Sequence, residues 1–320
     1  MNNIIFWASD FSSNSGEGRL GQIFIKGLKQ NIKFKKIIRI DSKFIRLETN
    51  LKKKFFSSVI HKYVVPFYGV LYLWNYYFKN YRLCYLNYLP LWNFLIFLVL
   101  PPNCILGPIT GTINKKNHFF LKSFCERISE IIIKFRYKNV IFANNFYRER
   151  FKNYLHNFII YDLKINQGKY IKKYDFIFYI RKDSFNKNFF LKKLIDKLIK
   201  FNFRVVTIGD KIQSRNVINF GYQSNKFTEK IISSCKYSVG NPENLYSFFT
   251  QDCLKNNVTV FYNNKFEKYE KFKIKNLHPI NYENYNIAIN QILKKIKKNK
   301  NTFNFFFKKN SFNNYFKNLL

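Results

Sequence analysis

The sequence predicts an α/β protein built from doubly wound parallel sheets, on three observations. Short apolar runs of strand length alternate with segments of helical period along most of the chain. The turns at the strand ends carry Gly, Asp, Asn and Ser. The connections between successive apolar runs are too long for hairpins and suit the helical crossovers of a parallel sheet. With 320 residues and 47% hydrophobic content, the chain has material for two domains with separate cores.

Residues 4–8 form the first buried strand. MNNIIFWASD lacks a basic n-region, and its apolar run is too short for a signal peptide. A polar loop follows, from Asp10 to Gly21, with Glu17 between Gly16 and Gly18; it leads into a helix over residues 20–28. Residues 35–40 read as the second strand, and the basic stretch 42–62 has no clear pattern. Residues 63–78 are apolar on nearly every side, either a buried helix or one lying against a membrane. Residues 82–87 are a strand. The run from Leu89 to Leu106 carries no charge, but Pro90, Pro101 and Pro102 limit its longest helix to about ten residues, where a bilayer span needs roughly 20. It is read as a buried helix, 91–100, and a buried strand, 103–106, feeding a second glycine loop from Gly107 through Thr110 and Gly111 to Thr112. A helix over 119–134 follows, then a strand over 139–144 that runs into the helical FYRERFKNYL.

The texture turns polar and lysine-rich between Tyr161 and Tyr174, which separates a first domain, 1–165, from a second, 172–280. DFIFYI, 175–180, is its opening strand, and Arg181 to Asn188 is a polar turn. Phe190, Leu191, Leu194, Ile195, Leu198 and Ile199 recur at helical spacing. Strands over 203–208 and 217–220 end at Gly209-Asp210 and Gly221-Tyr222. Phe227, Ile231, Ile232 and Cys235 mark the next helix. VGNPENLYSFFTQDCLKNNVTVF, from Val239, then reads as strand, turn, helix and strand, with Ser247 as N-cap. Such a unit sets a helix N-terminus, with its unpaired amide hydrogens at Leu245, Tyr246 and Ser247, at the carboxyl edge of the sheet, where phosphates bind.

The net charge is +38 and the aromatic content 20%. A chain of this kind suits nucleic acid, an anionic membrane surface or anionic small molecules. Lys, Asn, Ile, Phe and Tyr are inflated together, however, as an AT-rich coding sequence would produce, so mutational drift is an equal account of the charge. No RNP, KH, zinc or helix-turn-helix signature is present, and no specific nucleic-acid partner is expected. The five cysteines are scattered and never at CxxC spacing, and the four histidines have no ligand-like spacing. Neither a disulfide frame nor a metal is expected.

In this order the residues resemble glycosyltransferases of the GT-B fold, in particular the group-1 or family-4 class. The second half looks like the donor domain. YIRKDSFNK offers Arg181 and Lys187 for the diphosphate; GYQSNKFTEKI, from Gly221, resembles the family's glycine-aromatic segment; SFFTQDCLKNNVTVF resembles its acidic helix and strand. SGEGRLG and LGPITGT are similar to the glycine loops of the first domain. The resemblance implies two Rossmann-like doubly wound domains facing across a cleft. It also implies transfer from a nucleotide-sugar co-substrate to a saccharide or lipid-linked saccharide, with no metal or other cofactor and retention of configuration.

The family's two glutamates are separated by seven residues. Here Asp252 stands for the second, which meets the ribose, but eight positions before it is Asn244, with Glu243 one step out of register. Gly209, Gly221 and Tyr222 are assigned to the nucleotide, and Gly16 and Gly18 to the donor phosphate. Asp10, Gly107, Thr110 and Gly111 are assigned to the acceptor side. The chemistry agrees: a departing diphosphate is stabilised by Arg, Lys and a helix N-terminus. Inversion would require a base, for which Asp10, Glu17 and His118 are the candidates; retention would let the leaving phosphate take the proton. The tail, 281–320, is helical in part and then basic and aromatic. It either packs back across the domains or binds an anionic leaflet, which would place the enzyme in the cytoplasm at the inner face of the membrane. Two further readings remain: a basic nucleic-acid binder, and an inactive relative serving as a membrane-surface scaffold.

Overall fold

The computed structural model describes residues 2–8, 11, 16–31, 34–41, 58–111, 120–156, 170–181, 189–214, 216–242, 244–270 and 274–298. They fall into two compact units, one within Met1–Asp162 and the other within Leu163–Phe307. The first contains β1 (Asn2–Ala8), α1 (Gly16–Asn31), β2 (Phe34–Asp41), α2 (Ser58–Tyr77) and β3 (Arg82–Pro90). It continues with α3 (Phe94–Val99), β4 (Ile105–Thr110), α4 (Phe120–Arg136), β5 (Val140–Phe142) and β6 (Leu155–His156). The strands form one parallel sheet in the order β2-β1-β3-β4-β5-β6. The chain steps one way from β1 to β2 and the other way thereafter. Right-handed crossovers therefore put α1 on one face of the sheet and α2, α3 and α4 side by side on the other. That second face carries a core of Trp7, Tyr85, Leu106 and Phe142 under Leu73, Phe97 and Ile133.

The uniformly apolar α2 packs against this sheet. Gly69 lies directly on the Trp7 indole, where a Cβ would collide with the ring, and Tyr72 stacks on the same indole at 6.4 Å. No helix among the described residues is long and apolar enough to cross a membrane.

Several local expectations are corrected. Gly16 and Gly18 belong to the first turn of α1, not to a loop before it. The helix expected over 91–100 is only Phe94–Val99, because Leu91 and Trp92 remain in a turn after Pro90. Gly107 and Thr110 lie inside β4, which continues through the cis Gly107–Pro108 bond with a register shift. Gly107 has φ +131°, and a Cβ there would stand 2.5 Å from the Ile141 carbonyl oxygen of β5. FYRERFKNYL forms turns, closed by Arg148 N–H and Arg150 N–H to the carbonyls of Asn145 and Tyr147. Its Arg150 side chain reaches Glu126 and Glu130 of α4, its Phe151 enters the core, and the chain returns to lay β6 beside β5.

The second unit runs β7 (Tyr174–Ile180), α5 (Phe189–Lys200), β8 (Val205–Gly209), β9 (Val217–Asn219), α6 (Asn225–Ser233) and β10 (Cys235–Val239). It continues with α7 (Phe248–Lys255), β11 (Thr259–Asn263), a 3₁₀ helix (Asn264–Tyr269), β12 (Leu277–Ile280) and α8 (Tyr285–Lys298). Its sheet is also parallel, in the order β12-β11-β10-β7-β8-β9. The helix expected in a separate tail is α8, and it belongs to this unit: Ala288, Ile289 and Ile292 are buried with Leu194 and Leu198 of α5. Residues 299–320 lie outside those described.

Asp175 fastens the amino end of this sheet. Its carboxylate accepts from Lys236 Nζ at 2.8 Å and from the Arg204 amide at 2.9 Å. Burial works to raise its pKa, but these bonds and the two cations prevail and hold the carboxyl below its ordinary range. A depressed acid stabilises the fold above the unfolded-state value of about 3.9, and that contribution is lost as pH falls through the folded-state value. Asp175→Asn is expected to cost about 1 kcal/mol or less at neutral pH, since both cationic partners are partly exposed. Urea titrations should show the gap between parent and variant closing as pH falls below the unfolded-state value of about 3.9.

Candidate functional site

The strand order of the second unit reverses between β7 and β10. In an open parallel sheet the crevice outside the carboxyl ends at such a switch is where ligands bind. Arg181 is the first residue after β7 and is exposed. Its guanidinium lies over the ring of Tyr179, 5.6 Å from the centroid. Tyr179 in turn meets Phe249, in the first turn of α7, with ring centroids 5.7 Å apart. The structure thus brings Arg181 and the N-terminus of α7 to one edge, through two aromatic rings that the sequence reading did not single out.

The ends of β8 and β9 complete this edge. Gly209 has φ +92°, and a Cβ there would collide with the Ile180 carbonyl oxygen. Its N–H donates to Gly221 O at 3.0 Å, and Asp210 N–H donates to Ile180 O at 2.9 Å. Asn219 ties the loop from below: its amide oxygen accepts from Thr207 Oγ1 and Ile212 N–H, while its amide nitrogen donates to Ile212 O. Gly221, also at positive φ, turns the chain so that the Tyr222 hydroxyl donates to the Asp210 carboxylate. Partial desolvation and that bond raise the Tyr222 phenol above its ordinary range, with Arg181 pulling the other way. Arg181, Gly209, Gly221 and Tyr222 therefore share one edge, joined by Asp210, Tyr179 and Asn219. The sequence placed Asp210 in a strand-end turn but gave none of these three a part in the site.

The turn between β10 and α7 is ordered by its own side chains. Asn241 Oδ1 accepts from Asn244 N–H at 3.2 Å, and Asn244 Oδ1 from Tyr246 N–H at 3.1 Å. Ser247 is the N-cap of α7, its hydroxyl accepting from Thr250 N–H at 3.1 Å. The expectation that Leu245 and Tyr246 present amides to phosphate is corrected in part. The Tyr246 amide is taken by Asn244, and both side chains are buried, with the Tyr246 hydroxyl donating to Glu270 at 3.0 Å. Burial first, then the Glu270 carboxylate, pushes that phenol far up, so it stays a neutral donor. Asp252 is half-buried, one helical turn beyond Phe248. Glu243 and Lys187 lie outside the described residues.

In the first unit, Thr110 Oγ1 donates to Leu89 O at 3.3 Å at the end of β4, and Gly111 is backed by the Tyr147 ring. Asp10, His118 and the Glu17 side chain lie outside the described residues. Gly16 is exposed at the start of α1 and Gly18 is buried. Among the described residues no three His, Cys, Asp or Glu groups gather as a metal site, and the cysteines are free.

Two doubly wound parallel-sheet units in one chain define the class: this is the GT-B fold. No family model matches the chain, and no curated protein does. Among solved structures the chain is similar to the UDP-GlcNAc 2-epimerase of Methanocaldococcus jannaschii, at 10% identity and TM-score 0.55, over 98% of each chain. It is similar to sucrose-phosphate synthase of Thermosynechococcus elongatus at 10% identity and TM-score 0.56, over 93% of this chain and 90% of that one. WaaG, a glycosyltransferase involved in lipopolysaccharide biosynthesis, matches at 8% identity and TM-score 0.54, over 98% and 94%.

Proposed function

We propose that the chain is a glycosyltransferase that moves a sugar from a nucleotide sugar to a saccharide or lipid-linked saccharide in surface polysaccharide or glycolipid synthesis. The observation that carries this reading is the joint placement of Arg181 and the N-terminus of α7 at the switch between β7 and β10. The similar structures support it: one is a UDP-GlcNAc 2-epimerase in complex with UDP-GlcNAc and UDP, another a glycosyltransferase involved in lipopolysaccharide biosynthesis.

In this reading Arg181, with Lys187, holds the diphosphate, and the dipole of α7 adds to the field that stabilises it as it leaves. Gly221 and Tyr222 flank the nucleoside, and Asp252 accepts from the ribose hydroxyls. The anomeric C–O bond to phosphate breaks as the acceptor oxygen bonds to that carbon. The acceptor proton passes to the leaving phosphate, with retention, and no metal or other cofactor takes part. Glu243 meets the donor sugar. A base among Asp10, Glu17 and His118 would be engaged only in the inverting alternative.

A thermal-shift screen with nucleoside diphosphates and nucleotide sugars tests the reading. At least one nucleotide should raise Tm, and Asp252→Asn should weaken the ribose form more than the deoxyribose form. Acceptor-dependent release of nucleoside diphosphate would then establish transfer, whereas epimer formation without acceptor would move the chain to the epimerases. Nucleotide-insensitive melting would remove the proposal and leave the scaffold and nucleic-acid readings.

A further inference from the structure

We infer that the helical layer formed by α2, α3 and α4 docks on an anionic lipid surface. The outward face of α4 is the main observation. Phe120, Phe124, Ile131 and Phe135 are 88%, 53%, 68% and 90% exposed. At 100° per residue they fall within about 60° of arc, opposite the buried Ser129 and Ile133. A helix on the surface of a water-soluble domain is polar on that side. This one is apolar on both.

The stripe does not end with α4. Leu95 and Leu98 of α3 are exposed beside it, and Arg136 at the end of α4 donates to the carbonyls of Leu98 and Leu100. Trp74 of α2 donates to Val99 O at 2.8 Å, which joins the third helix, with its exposed Leu71, to the same layer. Compositional drift does not account for it. The same amino-acid bias leaves Gln22, Lys26 and Lys29 outward on α1, and Gln291, Lys294 and Lys297 outward on α8. Among the described residues of the second unit, exposed large hydrophobics such as Phe201, Ile218, Phe227 and Ile287 fall on different elements, whereas those of α4 share one face.

Charge selects the occupant. The acids of α4, Glu126 and Glu130, are engaged by Arg150, and Glu130 also by Lys134 at 2.6 Å. Arg127 and Lys134 edge the stripe on α4, and Lys138 follows the end of the helix; all three are exposed. An aromatic and aliphatic surface edged by cations suits an anionic leaflet, in which the rings enter the headgroup boundary and the cations meet phosphate. The inference does not depend on the chain being a transferase.

Flotation of the full chain with vesicles of phosphatidylcholine alone, and of phosphatidylcholine with phosphatidylglycerol, tests it. The parent should float with the anionic vesicles, and Phe124→Ser/Ile131→Ser/Phe135→Ser should reduce binding by about tenfold or more without lowering Tm. If the triple variant fails to fold, Phe135→Ser alone should still give a several-fold loss. Replacing Phe305, Phe306 and Phe307 by serine should leave most binding intact. The inference is overturned if the parent ignores both vesicles or if the helix variants float like the parent. It is equally overturned if binding follows the tail, or if light scattering shows that the stripe instead pairs two copies of the chain.

Discussion

Arg181→Ala is expected to lower kcat/KM by about 10²- to 10³-fold, equivalent to about 2.7 to 4 kcal/mol of transition-state stabilisation. The guanidinium is exposed, so its removal should leave Tm unchanged while weakening nucleoside diphosphates far more than nucleosides. Arg181→Lys should recover only part of the loss, because an ammonium keeps the charge but not the two-pronged geometry that matches a diphosphate. Titrations of nucleoside and nucleoside diphosphate against each variant measure this directly. Equal affinity of parent and Arg181→Ala for diphosphate would move the phosphate site away from the end of β7.

Phe261→Ala is expected to destabilise the second unit by about 3 to 5 kcal/mol, read as a lower urea midpoint. Phe261 is fully buried in β11, with ring centroids 6.4 Å from Phe176 and 6.1 Å from Tyr237. Its backbone matters as well: its carbonyl oxygen accepts from Gly240 N–H at 2.7 Å, which fixes the start of the turn before α7. A cavity beneath that strand should therefore weaken nucleotide binding along with stability. A cost under about 1 kcal/mol would show that the surrounding aromatics close over the gap.

The alternation of strand and helix was legible because parallel strands buried on both faces appear as short unbroken apolar runs. The strand ends at Arg181, Gly209 and Gly221 were legible for a related reason, each lying where such a run gives way to turn residues, and the start of α7 was legible from the N-cap chemistry of Ser247. What escaped depends on contacts distant in sequence. Tyr246 looks like a surface aromatic until its bond to Glu270 is seen, and Asp210 gains its meaning from Tyr222. β4 passes through Gly107–Pro108, which reads locally as a break, and the two-residue β6 follows aromatics that imitate helical spacing. α4 concealed its character differently. Apolar residues on both faces still produce a helical period, and only exposure separates the face that packs from the face that does not.

The phenol of Tyr282 has a bearing on how the chain matures. It donates to Gly240 O at 2.8 Å across 42 residues of sequence, and its ring stacks on Phe190 at 4.6 Å. Together with the buried face of α8, it closes the second core from the late part of the chain. During synthesis on a ribosome, the strands that carry Arg181 and Gly240 emerge well before their backing does. The nascent second unit therefore displays an open, aromatic-rich surface until α8 has cleared the exit tunnel, the interval in which a chaperone would hold it or a neighbouring chain would capture it.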